Sequence, residues 1–134
     1  MDFKKIFDEY RTIAVVGMSK NSQKAAGSIP LILKNQGYSV IPVNPSADEI
    51  AGMKCYDNLL EIPENIDIVN IFRPSEDALD IVKNAIERFK IRKDIKLIWL
   101  QEGIINSEAQ KLAEDAGIEF LQDHCIYKEY NKLF

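Results

Sequence analysis

The run Thr12-Ile13-Ala14-Val15-Val16-Gly17-Met18-Ser19 is a β-branched strand that stops at a glycine, then passes through a small hydroxyl residue into a polar loop. This is how an open α/β sheet builds an anion site. The strand delivers the chain to the sheet edge, glycine lets the backbone turn close to a ligand, and the next helix aims its first amides at negative charge. The dinucleotide fingerprint G-x-G-x-x-G is not met, because Ser19 stands where its second glycine belongs and the next glycine is Gly27. The loop thus points to a phosphate-bearing ligand and away from an ordinary NAD enzyme.

Working outward, apolar runs recur at residues 13–16, 40–43, 68–72, 96–100 and 118–121. All are rich in β-branched or aromatic residues without clean polar alternation, the pattern of strands buried on both faces. Helical segments separate them. Ser28 precedes Ile29-Pro30-Leu31 and is expected to cap a helix with Pro30 in its first turn, closed by Gly37. Pro74-Ser75-Glu76-Asp77 opens a longer helix, with Ser75 as cap and a stripe of Ala78, Leu79, Val82, Ile86 and Phe89 for the sheet. Ser107-Glu108 opens another, ended by Gly117; residues 48–56 read as irregular and 58–62 as one short helix. The expected fold is α/β: a single Rossmann-like, doubly wound parallel five-stranded sheet with strand order 3-2-1-4-5. The switch point then falls between the first and fourth strands. One rim gathers the Gly17 loop, Asn44-Pro45, Phe72-Arg73 and Gln101-Glu102-Gly103.

A chain of 134 residues is expected to form one domain over 1–134, burying about two-thirds of its unfolded surface. Its net charge of -4 argues against a general nucleic-acid binder, which needs a basic surface. The first ten residues alternate charged and apolar groups at helical spacing, unlike a leader peptide, and no run approaches the ~18 apolar residues of a membrane span. Cys55 and Cys125 are far apart and outside any C-x-x-C motif. Reduced thiols and a cytoplasmic location are therefore expected.

Gly17, Met18 and Ser19 form the expected pyrophosphate loop, with the Ser19 hydroxyl donating to a phosphate oxygen. Lys20 and Lys24 flank it, either to screen a 3′-phosphate or as solvated loop lysines. Val43-Asn44-Pro45 ends the second strand, where a ribose and adenine would lie, without the carboxylate that NAD enzymes place there. A plain Asn-Pro turn is the other reading. Phe72-Arg73 offers a guanidinium straight after a buried strand, for a phosphate or for a pair with Glu76 or Asp77. Gln101 brings an uncharged donor and acceptor to a strand end, and Gly103 either close backbone approach or a turn. Asp123-His124-Cys125 follows the fifth strand; a buried cysteine is favoured over a nucleophile, because sequence neighbours point different ways. The single histidine excludes metal sites built on several.

Taken together, residues 13–19, 37–45, 50–52, 67–73, 99–101 and 123–125 resemble the small stand-alone CoA-binding proteins. These share a Rossmann-like domain with the N-terminal part of the succinyl-CoA synthetase α-subunit. The resemblance implies coenzyme A, or an acyl-CoA, at the loop Gly17–Ser19, with Val43, Asn44, Pro45, Phe72 and Arg73 along the cofactor. Where the family commonly has a second arginine after the first, this chain has Pro74, so no doubly basic clamp is implied. The synthetase's phosphohistidine lies in a further domain, and no catalytic residue carries over. The expectation is a non-catalytic CoA-binding protein. The alternatives are a small acyl-CoA enzyme or a detached subunit that relies on a protein partner's catalytic groups, and an NAD(H)-binding sensor.

Overall fold

The computed structural model describes all residues, 1–134. Along the chain the elements are α1 (Phe3–Glu9), β1 (Thr12–Val16), α2 (Ala25–Asn35), β2 (Ser39–Val43), β3 (Glu49–Ile50), β4 (Met53–Lys54), a 3-10 turn (Leu59–Glu61), β5 (Ile68–Ile71), α3 (Ser75–Arg92), β6 (Leu97–Leu100), α4 (Ser107–Asp115), β7 (Glu119–Leu121) and α5 (Ile126–Leu133). No helix is long and apolar enough to cross a membrane.

The five main strands form one parallel sheet in the order β2-β1-β5-β6-β7. Counted along the chain this is 2-1-3-4-5, which corrects the expected 3-2-1-4-5. Pro42 supplies the physical reason. A proline cannot donate to a strand ladder and belongs at a sheet edge. The Pro42 carbonyl accepts from Tyr56 on the side away from β1, so its missing N–H also faces that outer edge. The third strand, β5, therefore pairs with β1 on its other side. The switch point moves to the gap between β1 and β5 and brings Gly17 directly beside Phe72 and Arg73.

Each sheet face carries its own core. α3 and α4 cover one face through Ala78, Val82, Ala85 and Ala109, closing on Val69 and Ile98. On the other, Phe7 of α1, Leu33 of α2 and Ile126 of α5 close on Val15, Ile68 and Trp99. Each fully buried Leu, Ile or Phe contributes roughly 1.5–3 kcal/mol. Phe7 meets Tyr130 of α5 edge-on at 5.4 Å, which seats the last helix against the first.

Three local expectations also change. α2 starts at Ala25 with Lys24 at its N-cap, so Ser28 and Pro30 lie inside the helix. Residues 48–56 contain a short hairpin rather than an irregular loop: β3 pairs with β4 around Ala51 and Gly52, both at positive φ (52° and 79°). Two-residue hairpin turns of this kind need positive φ at both positions, and alanine is a weak signal for it. The long helix begins at Ser75 itself, whose hydroxyl accepts from the Ile105 amide instead of capping.

Candidate functional site

The chain leaves β1 through a tightly braced turn. The Gly17 amide donates to the Val43 carbonyl at 2.9 Å, and its φ is +87°. A Cβ there would stand 2.9 Å from Cδ of Arg73, so glycine answers both to the backbone angle and to the neighbouring strand end. Asn44 ties the second strand to this turn by donating from Nδ2 to the Met18 carbonyl at 3.1 Å, while its Oδ1 accepts from Ser46. The Ser19 hydroxyl accepts from the Asn21 amide at 3.0 Å, which leaves its own hydrogen free to donate outward. At the head of α2 the amides of Ala25 and Ala26 have no acceptor within the protein. A helix start in that condition favours an anion.

Two cavities flank this turn at the carboxyl end of the sheet. The first, about 500 Å3, is lined by Gly17, Val43, Asn44, Pro45 and Arg73, and by the acidic side chains of Asp57, Asp77 and Asp80. The second, about 550 Å3, is mostly apolar, and its wall includes Ala25, Ala26, Phe72, Gln101 and Cys125. Arg73 thus borders one cavity and its neighbour Phe72 the other.

Several expected residues do something other than meet a ligand with their side chains. Met18 is fully buried in the core on the α2 side, leaving only its backbone to the site. Lys24 is exposed at the N-cap of α2 and borders neither cavity. Gly103 answers to the turn: its φ is +84°, nothing lies within 4 Å of a Cβ placed on it, and its amide donates to Asp123 at 2.7 Å. Arg73 pairs with Asp77 at 2.8 Å on the exposed surface, the bland alternative of its two readings. Only its Nη2 is engaged there, to one Asp77 oxygen. Gln101 is 5 % exposed. Its Oε1 accepts from the Ile126 amide at 2.9 Å and from Asn70 Nδ2 at 3.3 Å.

No hydrogen bond joins His124 to Cys125. The histidine Nδ1 lies 3.3 Å from the Glu129 carboxylate instead. Burial works against the charged form of Glu129, but hydrogen bonds from His124 and Lys132 outweigh it and hold that carboxyl below its ordinary range. No group of three or more His, Cys, Asp or Glu side chains is arranged to hold a metal ion.

The sequence reading missed Gly27. Its Cβ would run into the carbonyl of Asn21 and stand 3.1 Å from that of Ser19, so the first turn of α2 packs directly on the loop backbone. The small-residue run Ala25-Ala26-Gly27-Ser28 carried that signal. The acidic side of this cavity was also missed, because Asp57, distant in sequence from Asp77 and Asp80 of α3, joins them only in the folded cavity.

Residues 11–131 match the family model described as CoA binding domain. The uncharacterized protein YneT of Bacillus subtilis (strain 168) is 34% identical over 125 residues, spanning 93% of this chain and 89% of that protein. A hypothetical protein from Pyrococcus horikoshii OT3 superposes with a TM-score of 0.92 at 33% identity, covering 98% of this chain and 89% of that one. The ADP-forming acetate–CoA ligase I of Archaeoglobus fulgidus is 29% identical over 87% of this chain, yet the match spans only 18% of the ligase. The chain therefore belongs to the CoA binding domain family, as a small α/β domain related to a module of the much longer ADP-forming acetate–CoA ligases.

Proposed function

We propose that residues 1–134 act as one cytoplasmic domain that binds coenzyme A or an acyl-CoA and has no catalytic centre of its own. The observation that carries this reading is the pair of cavities on either side of Phe72-Arg73, at the switch point between β1 and β5. Open α/β sheets take their ligands at that point. In this reading the pyrophosphate rests on the loop from Gly17 to Ser19 and the free amides of Ala25 and Ala26. The adenosine occupies the cavity of Val43, Asn44 and Pro45, and the pantetheine arm enters the apolar cavity of Phe72 and Gln101. Arg73 exchanges Asp77 for a phosphate oxygen, a charge-assisted bond of about 1.5–3 kcal/mol. Lys24 contributes positive charge from the N-cap of α2, and Gly103 the turn geometry after β6.

A second reading has one specific support. Asp57, Asp77 and Asp80 give the first cavity carboxylates that can accept from ribose hydroxyls, which an NAD(H)-binding sensor would use. Against it, the end of β2 carries no acid. A native mass spectrum of the purified protein tests the assignment: co-purified CoA or acyl-CoA supports it, and co-purified NAD(H) contradicts it. Turnover of acyl-CoA substrates by the protein alone would contradict the non-catalytic part. Turnover only with cell extract would point to a detached subunit with a protein partner.

A further inference from the structure

Cys125 occupies the N-cap of α5, and its side chain makes no capping hydrogen bond. It is buried, 7 % exposed, and the surface it does present lines the apolar cavity beside Phe72. The same wall holds a donor with no protein partner. The Gln101 side chain is oriented by the Ile126 amide, which takes its Oε1, so Nε2 is left toward the cavity without any protein acceptor. Asn70, behind it, is fully buried and its Oδ1 also lacks a partner. A donor that no protein group takes up is open to an acceptor on a ligand in this cavity. The amide carbonyls of a pantetheine arm are acceptors of the right kind, and a thiol ends that arm.

We propose that this cavity brings the sulfur end of the ligand to Cys125, and that Cys125 undergoes thiol–disulfide exchange with the disulfide form of coenzyme A. This rests on the CoA reading above. The Cys125 thiol gives its proton to solvent, and its sulfur attacks one sulfur of CoA disulfide. The old S–S bond breaks as the new bond between Cys125 and one CoA forms. The second CoA leaves as a thiolate and takes up a proton. One disulfide replaces another, so no further oxidant is needed. The bound half of the disulfide stays in the site, and the product is a protein that stores one CoA covalently until a thiol reductant releases it.

Cys55 is the internal control. It donates to the Asn44 carbonyl at 3.4 Å, and burial pushes its thiol above the ordinary range, opposing reaction. The reduced full-length protein is mixed with CoA disulfide under nitrogen at mildly alkaline pH, and intact mass and peptide mapping follow the adduct. Glutathione disulfide is run in parallel, and titration calorimetry with reduced CoA is run on the same preparation. The expected result is one CoA per chain on Cys125, removed by dithiothreitol, forming about tenfold or more faster than the glutathione adduct. Labelling of Cys55, equal rates for the two disulfides, or no adduct on a protein that binds reduced CoA would each overturn the exchange. Absence of reduced CoA binding would instead overturn the reading beneath it.

Discussion

The backbone amide of Ser19 donates to the carbonyl oxygen of Ala26 at 3.1 Å, across the loop that joins β1 to α2. That carbonyl would ordinarily accept from the residue four positions on, which is Pro30 and has no N–H. A proline in the second turn of α2 thus frees an acceptor, and the loop takes it. Gly27 makes the approach sterically feasible. Gly27→Ala should force the loop off the helix, with a stability loss of roughly 1–3 kcal/mol from overpacking. CoA affinity should fall about tenfold, ~1.4 kcal/mol. Thermal melting and calorimetry on the one variant check both, and unchanged affinity would mean that the 19–21 backbone is not part of the site.

Gly17→Val combines a φ of +87° with a side chain driven against Arg73. The backbone strain alone should cost about 1–3 kcal/mol of stability. CoA binding should weaken about tenfold or more, ~1.4 kcal/mol at least. Native far-ultraviolet circular dichroism with unchanged CoA affinity would remove the phosphate from this turn.

Arg73 and Asp77 compete with the ligand for each other. Arg73→Ala should weaken CoA by roughly 1.5–3 kcal/mol while changing stability by only ~0–1 kcal/mol, since the pair it breaks is exposed. Asp77→Asn has the opposite sign: it frees the guanidinium and removes an acid from the cavity wall, so CoA should bind more tightly. Comparing CoA with dephospho-CoA on the Arg73 variant locates the contact. A larger loss for CoA marks the 3′-phosphate and an equal loss the pyrophosphate. Both variants binding like wild type would take this pair out of the site.

Stability has a separate anchor in Arg88, whose side chain is fully buried. It donates to the carbonyls of Leu59, Ile62 and Glu64 and to Asp94 at 2.8 Å, pinning the segment that borders the first cavity. Burial opposes ionisation of Asp94, but the Arg88 hydrogen bond, the Ile66 amide and the Arg88 charge win and hold its carboxyl below 3.8. A depressed carboxyl pKa means stability that is present above 3.8 and lost as pH falls through the folded value. Arg88→Met should cost about 3–5 kcal/mol near neutral pH, because it strands a buried charge. The gap to wild type should narrow on acidification, as Asp94 protonates in the variant. A gap that is flat with pH in denaturant melts would show that Asp94 is not the stranded group.

The strands and the loop were legible in the sequence because β-branched runs and a terminal glycine act locally. Strand order was read wrongly, although Pro42 held the clue: a missing N–H places β2 at an edge, and an edge β2 leaves β1 free to pair with β5. Arg73 was read as a cation next to a strand end, but which anion it holds depends on the side-chain geometry of α3. Gln101 was placed at a strand end, whereas its bond to the Ile126 amide needed α5, a helix that the sequence reading passed over. Gly27 was set aside for failing a fingerprint spacing, yet its use is a close packing contact that no spacing encodes.

The most direct test of the central claim is side-by-side titration calorimetry of the full chain with CoA and with NAD at matched ionic strength. The β2 end Val43-Asn44-Pro45 offers no acid for a dinucleotide, while the free amides of Ala25 and Ala26, the Gly17 turn and Arg73 suit the phosphates of CoA. CoA should bind more tightly than NAD, with a heat that weakens as salt is added. NAD binding as tight as CoA, or tighter, would contradict the assignment.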